Sequence, residues 1–381
     1  MLIKGDCKMR VNAPKQRNGN WAAQALLILP TLRSYAYTRI LPKLRHKIKP
    51  ETRVENVNAS VAAVCDCMTW ANLSHCHDAT ALTPAAWPHE IGKNPKFFFC
   101  EAAWSGAAGS CWRGQIYRDR RVFYENRKYL LEILKHCNAR GIPSVFWAKE
   151  DPTYFMHGVY DFTDTALKFD HVLTTARECI HKYKSMGHKS VHLWPFGFSP
   201  HIYHPPAEAE ATRESAAVFA GSWYREHKNR CRELEGIFEM ILNAGIPLRI
   251  YDRNKKNGYS PKPFPAKYQK YVYDGTKYEE LGEIYRNTTY AINVNTVNDS
   301  STMFSRRVYE AAACGSIIVS NESKGLRDQF GKNIWYLGES FDLSQISEMR
   351  ERNIKMVFEN HTWQKRFEKL LEILSIEEVR N

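Results

Sequence analysis

The sequence predicts an α/β protein of two domains, each built around a parallel β-sheet. Three observations predict it. Short apolar runs alternate with amphipathic helical stretches from about Ser60 onward, a proline-rich break interrupts that alternation after Trp194, and the same alternation restarts beyond it. Strands that are apolar throughout, and not at every second position, belong to sheets covered on both faces, as parallel sheets are.

In chain order, Ser60–Cys65 reads as a buried strand, and Lys96–Ala102 as another around Phe97-Phe98-Phe99. Val122–Arg140 is predicted helical, because Leu130, Ile133, Leu134 and Cys137 recur at helical spacing before Gly141. Pro143–Trp147 starts a third strand, Asp161–Phe169 is a helix, His171–Thr175 a strand, Ala176–Met186 a helix stopped by Gly187, and Ser190–Trp194 a strand. Pro195, Pro200, Pro205 and Pro206, then the polar run from Glu208 to Glu214, make the linker. Beyond it Ala216–Ala220 is a strand ending in Gly221-Ser222, Cys231–Asn243 a helix ending before Gly245, and Leu248–Tyr251 a strand. Tyr278–Arg286 is a helix, Tyr290–Val294 a strand, Ser305–Cys314 a helix stopped by Gly315, and Ser316–Ser320 a strand, before a mostly helical end. The expected organisation is a basic extension (1–58), a first domain (59–205), a second (206–360), and a C-terminal helical segment (361–381) packing back toward the first. Ligands of such sheets sit beyond the carboxyl ends of the strands. Two such domains joined by a linker form a cleft suited to two substrates.

Composition narrows the class. The 381 residues are 44% hydrophobic and 25% charged, near the average of folded proteins, which excludes a disordered chain. The longest apolar run, Ala22–Leu29, is far short of the ~20 residues of a membrane span. Of the net charge of +13, residues 1–58 carry +9 (twelve Lys/Arg, three Asp/Glu), leaving +4 for the rest. A basic arm of this kind suits contact with anionic lipid or nucleic acid, and equally a solvated surface. The ten cysteines lie mostly in apolar runs, as in Phe97-Phe98-Phe99-Cys100, which fits reduced thiols in a reducing compartment. With no clear apolar leader and cleavage site, the expectation is a cytoplasmic protein, its basic arm available for peripheral membrane contact.

The stretch Phe304–Val319 carries the strongest chemistry. Its helix begins near Ser305, a plausible cap, and places Arg306 and Arg307 where exposed backbone N–H groups would favour a pyrophosphate. Glu310 follows Arg306 by four residues and Arg307 by three, so all three can share a face. A carboxylate there can accept two hydrogen bonds from a ribose diol. On residue chemistry alone the stretch equally suits intrahelical Arg–Glu pairs over a buried alanine face.

Arg307-Val308-Tyr309-Glu310-Ala311-Ala312-Ala313-Cys314-Gly315-Ser316 resembles the donor-site helix of the GT-B glycosyltransferases (glycosyltransferase group 1), and His361-Thr362-Trp363 with Arg366 resembles the tail of that domain. Glu101–Gly106, Pro143–Pro152 and Leu193–Gly197 resemble the N-terminal domain of CgeB-like proteins, named for spore maturation. The resemblance runs from about Ser60 to Leu374. It implies a GT-B fold, two Rossmann-like domains facing a cleft, with a nucleotide-sugar donor in the C-terminal domain and an acceptor facing the N-terminal one. By position it assigns Arg307 to the donor diphosphate, Glu310 to the ribose hydroxyls, and Gly221 and Ser222 to a loop where backbone approaches phosphate. Arg306 is a further charge beside them.

The implied reaction moves a sugar from a nucleotide diphosphate, a UDP-sugar being the expected donor, to a hydroxyl of a glycan, polyol-phosphate polymer or protein. Arginines that stabilise the leaving diphosphate dispense with a metal ion, so no cofactor is expected. Glu150 and Asp151 follow a predicted strand where a carboxylate can deprotonate an acceptor hydroxyl, and Glu101 is an equal candidate. His157 and His361 are weaker cleft candidates. Cys65-Asp66-Cys67 with His75-Cys76-His77-Asp78 hints at zinc, but the first pair is one residue too close and the second cluster too tight. Two other classes fit less well: a non-catalytic carbohydrate-binding or surface- and spore-assembly protein on the same scaffold, and a nucleic-acid binder using the basic arm.

Overall fold

Runs that are apolar on both faces become strands covered on both faces. The computed structural model describes residues 31–32, 34–40, 60–76, 78–107, 109–207 and 213–376. The N-terminal lobe contains β1 (Val61–Val64), α1 (Cys67–Cys76), β2 (Ala79–Ala81), α2 (Trp87–Glu90), β3 (Phe97–Glu101), β4 (Arg118–Asp119), α3 (Lys128–Ala139), β5 (Ser144–Ala148), β6 (Tyr160–Asp161), α4 (Phe162–Ala166), β7 (His171–Thr174), α5 (Arg177–Ser185) and β8 (Val191–Leu193). The C-terminal lobe contains β9 (Glu214–Gly221), α6 (Lys228–Asn243), β10 (Leu248–Asp252), β11 (Val272–Asp274), α7 (Leu281–Asn287), β12 (Thr288–Asn293), α8 (Arg307–Ala313), β13 (Ile317–Ser320), α9 (Lys324–Phe330), β14 (Trp335–Tyr336) and α10 (Ile346–Asn360), and α11 (Trp363–Leu374) follows it.

The N-terminal sheet has the order β2-β1-β3-β5-β7-β8 and the C-terminal sheet β11-β10-β9-β12-β13-β14. All neighbours in both are parallel. In each the chain starts inside the sheet, moves to one edge, then returns and builds the other side. The order therefore reverses between β1 and β3 in one lobe and between β9 and β12 in the other, and ligand crevices open at such switch points. The protein has a GT-B fold: two Rossmann-like lobes in contact with each other.

Several boundaries differ from the sequence reading. The helix expected from Val122 starts at Lys128, because Asn126 folds the preceding residues into a turn. Its Oδ1 accepts from the Asp119 N–H (3.1 Å) and its amide donates to the Gly114 and Tyr117 carbonyls (2.8 and 2.7 Å). Asp161 is the cap of α4, accepting from the Asp164 N–H. The short strands β2, β11 and β14 were not expected. Most of the basic extension lies outside the described residues. Within it, Ser34 and Thr38 hydrogen-bond the Tyr124 hydroxyl at 2.9 and 3.0 Å, so this part sits on the N-terminal lobe.

Two chain crossings run side by side between the lobes. The Phe198 N–H donates to the His361 carbonyl (3.1 Å) and the Trp363 N–H to the Phe198 carbonyl (2.9 Å). Gly197 permits the approach, since a Cβ there would lie 3.0 Å from the His361 oxygen. The second crossing feeds α11, capped by the Thr362 side chain, which accepts from the Lys365 N–H. Helix α11 covers one face of the N-terminal sheet: Trp363, Phe367 and Leu370 pack with Phe97, Phe99, Trp147 and Trp194. Each such side chain contributes roughly 1.5–3 kcal/mol by leaving water.

Candidate active site between the lobes

At the switch point of the C-terminal lobe, β9 ends at Gly221. A Cβ at Gly221 would lie 2.8 Å from the Phe219 ring and 3.1 Å from Arg307 Nη2, so a side chain there would displace one or both. Arg307, the first residue of α8, donates to the Ala220 carbonyl (2.5 Å) and lies 5.0 Å over the Phe219 ring. Arg230, in the first turn of α6, donates to the Ser222 carbonyl (3.3 Å) and lies 4.9 Å over the Tyr224 ring. Two guanidinium groups thus hold the backbone on either side of Gly221. Neither is ion-paired with a carboxylate among the described residues. Burial, followed by the charge of Arg307, brings Arg230 down to about 10. Ser222 faces inward, its Oγ accepting from Asn254 Nδ2 (3.0 Å).

Arg306 and Glu310 do not join this cluster. Successive helical residues point about 100° apart, so Arg306 faces the other lobe while Arg307 faces β9. Arg306 Nε lies 2.8 Å from Glu310 Oε1, and the guanidinium stands 5.2 Å over the Tyr278 ring and against Met68 Sδ of α1. Glu310 is 3% exposed and also accepts from the Tyr278 hydroxyl. The expectation that Arg306, Arg307 and Glu310 share one face is therefore corrected: only Arg306 and Glu310 do, and the charge of Arg306 is matched. Ser305 is not the cap either. Arg306 holds that position without a side-chain cap bond, and the Ser305 N–H donates to Asn295 Oδ1 (3.0 Å).

The switch point of the N-terminal lobe gathers the opposite charge. Asp66, just past β1, accepts from the N–H groups of Trp104 (3.0 Å), Ser105 (2.8 Å) and Gly106 (2.9 Å). Lys149, just past β5, lies 3.0 Å from Asp66 Oδ2 and against Glu101 Oε1. Burial raises the Asp66 carboxyl, but Lys149 and the three N–H groups outweigh it and hold it at about 2. Glu101 is fully buried, and burial pushes its pKa up against the pull of Lys149. It holds the lysine and does not face the cleft.

Glu150 and Asp151 are adjacent but turn opposite ways. The Glu150 side chain is 25% exposed and accepts from the Trp104 indole N–H (3.0 Å), with Lys149 at 4.0 Å. Burial raises its pKa, partly opposed by Lys149 and Trp104. Asp151 is turned into the lobe interior, where Thr174 Oγ1 donates to it at 2.7 Å. Burial raises it to about 7. Of the three carboxylates named from sequence, only Glu150 keeps a partly exposed side chain.

His157 and His361 have structural partners, and His77 of the tight cluster lies outside the described residues. His157 Nδ1 accepts from the N–H groups of Val159 and Tyr160 (3.2 and 3.1 Å). His361 stacks on Tyr309 at 4.4 Å, and burial and then Arg366 lower it to about 3, so it is neutral. Cys65 is buried and Asp66 is engaged as described. Among the described residues no group of three or more His, Cys, Asp or Glu is arranged to hold a metal ion. No described helix is long and apolar enough to cross a membrane. Sequence reasoning missed Arg230, Asp66 and Lys149 as site residues. Asp66 and Lys149 share a signal, a charged residue within two positions of a strand's carboxyl end, whereas Arg230 lies in the first turn of the helix after β9.

A family model described as glycosyl transferase-like matches residues 232–372, from inside α6 into α11. The match is confined to this part of the chain. It includes Arg307 and Glu310, and Arg230 lies two residues before it. Among solved structures the chain resembles TarM (11% identity, TM-score 0.46, covering 73% of this chain and 54% of TarM). It also resembles the sucrose-phosphate synthase of Thermosynechococcus elongatus (11%, 0.43, 74% and 73%). A third is an alpha-glucosyltransferase in complex with UDP-glucose and DNA containing an abasic site (12%, 0.43, 74% and 80%). The chain thus spans about half the length of TarM. No curated protein matches it.

Proposed function

We propose that the protein is a glycosyltransferase of the CgeB-like kind. It moves a sugar from a nucleotide-diphosphate donor, a UDP-sugar in the first instance, to a hydroxyl of a glycan, polyol-phosphate polymer or protein. The observation that carries this reading is the pair Arg230 and Arg307 around Gly221 at the switch point of β9 and β12, two like charges without a carboxylate partner among the described residues. A buried charge such as that of Arg230, set beside a second like charge, is costly unless an anion joins them. A diphosphate beyond the end of β9 supplies that anion, and the glycosyl transferase-like domain match supports its being a sugar donor.

The mechanism follows from where the charges lie. Breaking the sugar–phosphate bond develops negative charge on the departing diphosphate. Two guanidinium groups fixed there before the reaction stabilise that charge as it forms. In this reading Glu310, one helical turn further on, accepts from the donor ribose. Across the cleft, Glu150 takes the proton of the acceptor hydroxyl, and its raised pKa suits a general base. Because the arginines carry the stabilising charge, the reaction runs without a metal ion.

Thermal-shift measurements with UDP-, GDP-, CDP-, ADP- and dTDP-sugars test this. A ligand at ~100 times its dissociation constant stabilises by about 2.7 kcal/mol, a visible melting shift. At least one donor should give that shift, undiminished in EDTA, and Arg307→Gln should abolish it. No shift from any donor, or one that needs Mg²⁺ or Mn²⁺, would contradict the reading. The non-catalytic alternative predicts binding with neither transfer nor donor hydrolysis.

A further inference from the structure

Both groups that hold Glu310 are themselves held by the opposite lobe. Glu310 Oε1 meets Arg306 Nε and the Tyr278 hydroxyl. Arg306 rests against Met68 Sδ, and the Tyr278 oxygen accepts from Asn72 Nδ2 at 2.9 Å. Met68 and Asn72 lie one turn apart on α1 of the N-terminal lobe, and the Asn72 amide also donates to the Met68 carbonyl (2.6 Å). The three side chains of this hydrogen-bonded chain are buried, Asn72 at 0%, Glu310 at 3% and Tyr278 at 9% exposure.

The direction of the chain is fixed by chemistry. A carboxylate only accepts, so the single Tyr278 proton goes to Glu310. The Tyr278 oxygen must then accept, and Asn72 must present its amide hydrogens, one to Tyr278 and one to the Met68 carbonyl. Burial and the nearby Glu310 carboxylate push the Tyr278 hydroxyl far above its ordinary range, so it keeps the proton this arrangement requires. When the lobes part, Tyr278 loses its donor and Arg306 its contact with Met68 together, and the Glu310 carboxylate is no longer fixed.

We propose that Tyr278 is a positioning residue of the donor site, through which Asn72 of the opposite lobe sets Glu310 only while the lobes are together. This rests on the donor reading above for the role of Glu310, but the latch itself does not. Donor engagement and lobe contact are thereby one event: a donor that needs Glu310 in this position favours the joined lobes, and joined lobes favour the donor.

The test combines two variants, Asn72→Ala and Tyr278→Phe, with their double. Tyr278→Phe keeps the ring under Arg306 and removes only the hydroxyl. Asn72→Ala leaves the donor lobe untouched, and it carries the test alone if Tyr278→Phe fails to fold. Each should raise the donor KM and the dissociation constant of the nucleoside diphosphate about tenfold, within the usual range of coupling between sites. The acceptor KM should stay within twofold, and the double variant should lose no more than the worse single one. Losses that multiply, or a donor KM within twofold of the unmodified protein, would overturn the proposal. In the unliganded protein, Asn72→Ala should speed amide hydrogen exchange around Tyr278 on the other lobe, and unchanged exchange there would overturn the latch. If the unmodified protein binds none of the five nucleoside diphosphates, the donor reading falls, while the exchange arm still decides the latch by itself.

Discussion

The two lobes share a doubly wound plan and treat charge at their switch points in opposite ways. In the C-terminal lobe Arg230 and Arg307 stand around Gly221 with no carboxylate partner among the described residues. In the N-terminal lobe Asp66, Glu101 and Glu150 share one cation, Lys149. The contrast separates two tasks. Unmatched positive charge suits an anionic leaving group, while burial, with a smaller push from the Asp66 carboxylate, raises the proton affinity of Glu150. Arg306 and Glu310 lie between the two, their charges balanced at the lobe interface. In the proposed reaction, one fold used twice provides a site for a departing anion and a site for an incoming hydroxyl.

The sharpest way to break this contrast is to neutralise the N-terminal carboxylates one at a time. Glu150→Gln should cut turnover by roughly 10²–10⁴-fold, the usual contribution of a positioned general base, with donor binding unchanged. Asp151→Asn should leave turnover near normal, because that side chain faces Thr174 and not the cleft. Steady-state kinetics of the two variants decide it, and the reverse ranking would assign the base to Asp151.

A second break separates the lobes as folding units. Helix α11 follows the C-terminal lobe in sequence but completes the core of the N-terminal one. Trp363→Ala should cost about 3–5 kcal/mol in urea unfolding. Destabilisation below about 1 kcal/mol would show that α11 is peripheral to that core.

The smallest effect concerns pH, where two carboxylates of one lobe act with opposite sign. Asp151, raised from 3.8 to about 7, binds its proton more tightly in the folded state. Its contribution is fully present below pH 3.8 and is lost as the pH rises through about 7. Asp66, lowered from 3.8 to about 2, contributes above pH 3.8 and loses that contribution as the pH falls through about 2. Asp151→Asn should therefore flatten the fall in stability between pH 4 and 7, and Asp66→Asn should leave that window unchanged. Equal slopes in the wild-type protein and Asp151→Asn would contradict the burial of an ionisable Asp151.

These contrasts also mark what the sequence could disclose. The central strands are legible because a run such as Phe97–Glu101, buried along its whole length, has no other economical place. The edge strands β2, β11 and β14 are two or three residues long and exist only because a neighbouring strand offers hydrogen bonds, which no local pattern encodes. Arg307 and Glu310 stand out in a helix flanked by Gly315 and a strand, and their chemistry is readable there. Their separation is not, because it depends on where the Ala220 carbonyl and Met68 lie in space. Glu150 and Asp151 make the same point at one residue's distance: adjacent carboxylates on a turn look alike in sequence, and only the packing of Thr174 and Trp104 distinguishes them.

The central claim is that Arg230 and Arg307 form the seat of a diphosphate, and a crystal structure with a bound nucleoside diphosphate tests it most directly. The account predicts phosphate oxygens within about 2.9 Å of both guanidinium groups, next to the Gly221 backbone at the end of β9. A diphosphate bound elsewhere, with both arginines still on the carbonyls of Ala220 and Ser222, would contradict it.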